Sequence, residues 1–152
     1  MINKVRRIVT GCNEKGESTI LIDEDAANQK DLMPGLRATD IWATETSPAD
    51  NTGFNDMGIR EFRVSPPPSG TVFRYLEFDP GIGVNNPGWH ATDTVDYIII
   101  VKGEIWCLMD DREVFLKAGD LLVQRGTNHS WANRSNEKCI MIAVMLSATP
   151  LP

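Results

Sequence analysis

The feature that most constrains this chain is a rhythm. Short runs alternate with period two and are cut at close intervals by Gly, Pro, Asn or Asp, and no stretch of about ten residues carries an amphipathic helical pattern. Residues 72–78 place Val72, Leu76 and Phe78 on one face, with Arg74 interrupting, and Phe73, Tyr75 and Glu77 on the other, before Asp79-Pro80-Gly81 closes the run. Between residues 88 and 133 the chain reads as strands separated by turns at Lys102-Gly103, Asp110-Asp111 and Ala118-Gly119. Residues 96–101 and 139–146 are apolar on both faces. Such strands are covered on both sides, so a second layer is expected from the N-terminal strands or from a partner subunit.

Upstream, residues 5–10 and 19–23 read as strands that pair through the polar turn at 13–16. Residues 25–30 suggest a helical turn, and 39–44 and 59–64 two further strands, the latter stopped by Pro66-Pro67-Pro68. Residues 47–58 form a long loop, expected to act as a lid or to be mobile. Many short strands with this punctuation point to an all-β sandwich or barrel. At 152 residues the chain predicts one domain over 1–152, with an N-terminal β extension and loop over 1–65 and a core barrel over 66–152.

Composition excludes several classes of function. A net charge of −6 with scattered Lys and Arg argues against nucleic-acid or anionic-membrane partners. Cys12, Cys107 and Cys139 are odd in number and widely spaced, which predicts free thiols in a reducing, cytoplasmic compartment. Residues 1–7 carry charge with no apolar run after it, unlike a signal peptide, and no run reaches membrane-spanning length. The chain has no phosphate-binding loop, dinucleotide fingerprint or Gly-x-Ser-x-Gly elbow, so no nucleotide cofactor is expected.

The only two histidines, His90 and His129, each border a strand of the 88–133 segment. From His90 the sequence runs one residue to Thr92, three more to Asp96 and six more to Gly103. Further on, Gly119 leads to Gly126, His129 and Asn133. In this spacing the chain resembles the cupin superfamily of small jelly-roll barrels. Thr92 stands where the first cupin motif has its second histidine, Asp96 where it has glutamate, and Gln124 where the second motif has proline. The resemblance covers about the last half of the chain and implies a cupin-type jelly-roll barrel with an N-terminal β extension. It also implies that His90, Asp96 and His129 converge inside the barrel, as ligands for a divalent metal (Fe, Zn or Mn) or as a metal-free hydrogen-bonded cluster.

Thr92, Gln124, Asn128, Trp106, Trp131 and Tyr75 are the candidate substrate contacts. Gln124 reads equally as a backbone tie at a strand end, the tryptophans as core packing, and Arg74 as a carboxylate clamp or an ordinary paired arginine. Three functions follow. The first is a metal-binding enzyme acting on a small oxygenated or carboxylated organic molecule, by oxygenase, isomerase or decarboxylase chemistry. The second is a metal-free binding or sensing protein for a small-molecule ligand. The third is an accessory homodimer joined through the two-sided strands.

Overall fold

The computed structural model describes residues 4–152. Met1, Ile2 and Asn3, part of the segment read against a signal peptide, lie outside the described residues. In chain order the strands are β1 (Arg6–Cys12), β2 (Ser18–Asp25), β3 (Gln29–Met33), β4 (Leu36–Thr44), β5 (Thr71–Phe78), β6 (Thr94–Lys102), β7 (Glu104–Leu108), β8 (Glu113–Lys117), β9 (Leu121–Gln124), β10 (Ser130–Ala132) and β11 (Cys139–Ser147). No helix occurs among the described residues. The all-β expectation is met.

A six-stranded antiparallel sheet, ordered β3-β4-β5-β11-β6-β9, faces a three-stranded sheet, β10-β7-β8, while β1 and β2 form a hairpin of their own. Alternation explains the core between the two sheets. Phe78 of β5, Ile98 and Ile100 of β6, Ile105 and Cys107 of β7, Leu116 of β8, and Met141, Ala143 and Met145 of β11 point inward as one buried cluster. Burial pushes the Cys107 thiol up to about 11, as expected of an inert core cysteine, and Cys139 is likewise buried and free.

The segment between β5 and β6 runs beside β10. Asn133 N–H donates to Ile82 O and Gly81 N–H to Asn133 O, so the loop adds to the edge of the small sheet. Gly83 is required there. Its φ is +70°, and a Cβ would lie 1.9 Å from the Trp131 carbonyl oxygen.

The N-terminal half departs from expectation in three places. Residues 25–30 form no helical turn. The Ala26 N–H is taken by Val5 O, and Gln29 already begins β3, which pairs with β4. A run this short has too little of its own to hold a helix. Residues 59–64 alternate like a strand but pair with none, because the Arg63 and Val64 carbonyls accept from the buried Arg74 guanidinium (2.6 and 3.0 Å). Finally, β3 and β4 belong to the main sheet, and β4 pairs with β5 along its length. The 47–58 loop is tied down through Asp56, bonded to Arg7, and through Phe54, packed on Trp42.

Candidate functional site

His90 and His129 form an isolated antiparallel bridge, each backbone N–H donating to the other's carbonyl (3.0 and 2.9 Å). Directly opposed residues of such a pair project to the same side, and the two rings lie 4.3 Å apart between centroids. His129 is buried and meets Trp131 edge-on at 5.8 Å, and Trp131 in turn packs toward Phe78 of the core. His90 is exposed. The pair therefore spans the barrel mouth from rim to interior.

Both rings are oriented by the backbone. His90 Nδ1 lies 2.8 Å from Gly88 O, and His129 Nδ1 lies 2.9 Å from Thr127 O. A carbonyl only accepts, so each Nδ1 carries a proton, and the second ring nitrogen, Nε2, is the one that gains or loses a proton when the ring titrates. Among the described residues neither Nε2 has a hydrogen-bond partner. Burial, with the charge of His90 adding to it, holds the His129 pKa below the ordinary histidine value. His129 is thus neutral at pH 7.

Asp96 approaches from the large sheet. On β6 it is opposite Met145 of β11 and Gln124 of β9. It is only 5% exposed, and its Oδ1 has no hydrogen-bond partner. Burial raises its pKa, against the opposing pull of the Thr94 hydroxyl and of the His90 and Arg74 charges. An unpartnered buried oxygen is costly and calls for an explanation.

The remaining expected contacts divide. Thr92 bonds the Thr94 hydroxyl (2.7 Å) and so buttresses the Asp96 side of the mouth. Gln124 is buried, and its side-chain amide is spent on the Thr127 hydroxyl and carbonyl, holding the turn that carries His129. Asn128 is exposed and donates to Asp110 (2.8 Å). Trp106 packs on Phe115 and under Arg134, and cross-strand register places it on the face opposite Cys107 and Trp131. Tyr75 lies on the face of β5 opposite Arg74 and Leu76. Trp131 is thus brought to the histidines, and Trp106 and Tyr75 are not.

Arg74 is no clamp for a ligand. It donates to Asp40 through Nε (2.6 Å) and Nη2 (3.2 Å), bonds two backbone carbonyls and the Met145 sulfur, and stacks over Phe62. Asp40, absent from the expected site, is fully buried opposite Arg74. The signal for this pair was a cationic residue breaking the apolar face of a strand. Asn133, the last residue of the second motif, is spent on the backbone. Its side-chain amide donates to Phe78 O and Glu137 O, and its oxygen accepts from the Ser135 N–H and hydroxyl.

The fit of a metal can be judged from the donors. Two imidazole nitrogens are available, but no group of three His, Cys, Asp or Glu side chains among the described residues is arranged to hold an ion. The third position expected from the motif, Asp96, is not gathered with the histidines into such a set. A protein-held divalent metal does not fit the site as built.

Comparison with known proteins agrees with the fold. The Cupin domain family model matches residues 74–145. A cupin-domain-containing oxidoreductase of Neurospora crassa, srdD, is 30% identical over 138 residues, covering 87% of this chain and 68% of that protein. Phomopsin biosynthesis cluster protein C' of Diaporthe leptostromiformis is 39% identical over 117 residues, covering 72% of this chain. The chain spans 60% of the length of that relative. Among solved structures, KdgF from Halomonas matches with a TM-score of 0.52 at 15% identity, over 78% of this chain and 84% of that one. A Cupin 2 conserved barrel protein from Salinispora arenicola matches with a TM-score of 0.51 at 19% identity, over 78% and 81%.

Proposed function

The chain belongs to the cupin superfamily, and we propose that its barrel mouth is a proton-transfer site for a small, uncharged, oxygenated organic molecule. One observation carries this reading: two imidazoles, each with its proton fixed on Nδ1, stand near a buried carboxyl group whose oxygen has no partner. His129 Nε2 is the base, because the ring is neutral and its bond to Thr127 O steadies the positive charge gained on protonation. Asp96 is the acid, since burial favours its protonated form. His90, at the rim, receives the molecule and relays the proton to solvent.

A hydroxy-carbonyl compound matches these roles. His129 takes a proton from the carbon beside the carbonyl while Asp96 gives one to the carbonyl oxygen, and the enediol formed collapses by the reverse transfers one carbon along. This moves two hydrogens between neighbouring carbons of one molecule, leaves its overall oxidation state unchanged and needs no external electron carrier. Carboxylated molecules are disfavoured, because Arg74, the arginine whose charge acts on Asp96, is already saturated by Asp40 and backbone carbonyls.

The test is a titration of histidine-labelled protein with matched hydroxyketones and hydroxyacids, read as ring chemical shifts. Hydroxyketones are expected to move both rings in the wild type and to lose at least about tenfold in affinity in Asp96→Ala, which leaves the carbonyl oxygen without a donor. Binding of the acids alone, or equal binding by the variant, would overturn the reading.

A further inference from the structure

We propose that residues 59–64 are a strap that opens and closes the Asp96 side of the barrel mouth, an inference that rests on the mouth being the ligand site. The ends of the strap are fixed. Upstream, Asp56 is bonded to Arg7, and Gly58 packs on Arg7 and the Ile41 carbonyl so closely that no side chain would fit. Downstream, Gly70 N–H donates to Pro67 O, Ser147 N–H to Gly70 O and the Ser147 hydroxyl to Pro68 O.

Between these anchors the chain is clasped rather than paired. Among the described residues, no backbone group of residues 60–64 bonds another backbone group. From outside the strap, three side-chain bonds hold its carbonyls: Asn28 Nδ2 donates to Arg60 O (2.9 Å), Arg74 Nη2 to Arg63 O (2.6 Å) and Arg74 Nη1 to Val64 O (3.0 Å). Ile59 and Val64 are 64% and 52% exposed, so Phe62, stacked against the Arg74 guanidinium, is the main apolar contact holding the strap down. The clasp sits against the wall that carries Asp96. Arg74 Nη1 also donates to the Met145 sulfur, Met145 is the cross-strand neighbour of Asp96, and the charge of Arg74 acts on the Asp96 carboxyl.

Release strands no charge. When the two carbonyls leave, Arg74 keeps both bonds to the Asp40 carboxylate, and the carbonyls turn to water. Arg60 pulls toward the open form. Its Nε and Nη2 are buried without a hydrogen-bond partner, Nη2 lying 3.7 Å from Asp40, and lifting the strap hydrates them. A segment held by few bonds and opposed by an orphaned guanidinium opens far more often than the sheet beneath it.

Two readouts on the full chain test this. Trypsin cleavage after Arg60 and Arg63, located by mass spectrometry, reports release of the strap. Diethyl pyrocarbonate, a small uncharged reagent that acylates neutral imidazole, reports access to the mouth through the two histidines. In the wild type, cleavage at Arg60 and Arg63 is expected before any cut in β5 or β6, with a urea dependence well below that of global unfolding. Asn28→Ala removes one of the three clasps and is expected to speed that cleavage at least about threefold. His129 is expected to be acylated at least about threefold faster in the same variant, while the exposed His90 keeps its rate as the internal reference. Phe62→Ala, which removes the stack on Arg74, gives the same pair of readouts should Asn28→Ala fold poorly. Cleavage that requires global unfolding, or that neither variant speeds, overturns the proposal. So does a His129 rate that stays constant while the strap is released. Neither readout uses a hydroxyketone, so a failure of the proton-transfer reading appears separately, in the ring-shift titration.

Discussion

Replacing Asp40 by Leu removes the partner of a guanidinium that is 2% exposed. Arg74 would keep its bonds to the Arg63 and Val64 carbonyls but lose both carboxylate contacts, at 2.6 and 3.2 Å. Arg60, 3.7 Å from the same carboxylate, would lose its counter-charge as well. Breaking a buried pair from one side costs about 3–5 kcal/mol, because the surviving charge stays buried. At about 2–4 °C per kcal/mol for a domain of this size, Tm is expected to fall by about 6–20 °C. The double variant Asp40→Leu/Arg74→Met removes both charges and is expected to recover most of that loss, as apolar replacement of a buried pair is often near neutral. Urea and thermal unfolding followed by circular dichroism read both numbers. A single-variant loss below about 1 kcal/mol, or a double variant less stable than the single one, would refute the view that this pair organises the wall beside Asp96.

Two further predictions concern the site and its supports. Asp96 has a pKa raised by folding, so its contribution to stability is fully present below the unfolded carboxylate value and is lost as pH rises through the folded value. Asp96→Asn is therefore expected to raise Tm at pH 7 and to do so less at pH 4; equal shifts at both pH values would contradict it. Asn133→Ala strips four hydrogen bonds from a fully buried position. A loss of about 2–3 kcal/mol in urea unfolding is expected, and a loss under about 0.5 kcal/mol would show that water replaces the side chain.

Much of this was legible in the sequence, for identifiable reasons. Alternation at residues 72–78 and the two-sided runs at 96–101 and 139–146 gave β5, β6 and β11, because burial imposes period two on a strand whatever its partners. The histidine pair was legible through the resemblance, whose two motifs carry His90 and His129, and alternation by itself gave only the shared face of His129 and Trp131. The segment 59–64 misled because alternation reports which side chains are buried and not what the backbone bonds, and Arg74 captured those carbonyls. The Asp40–Arg74 pair was hidden for a related reason: register between distant strands, here 34 residues apart, leaves no local trace. Asp96 falls between these cases. The motif gave its position on the inner wall, while its distance from a three-donor set depended on how the two sheets face each other.

The central claim is that His129 is a neutral base with a free Nε2 and no metal. Because the chain has only two histidines, a sample labelled with ¹⁵N at histidine reports both rings without ambiguity. Protein purified without a metal-affinity tag is expected to show, at pH 7, the Nδ1–H tautomer at both rings, with His129 uncharged and no signal altered by a chelator. An Nε2–H tautomer at His129, or ring signals that change when a chelator strips a stoichiometric metal, would contradict the account.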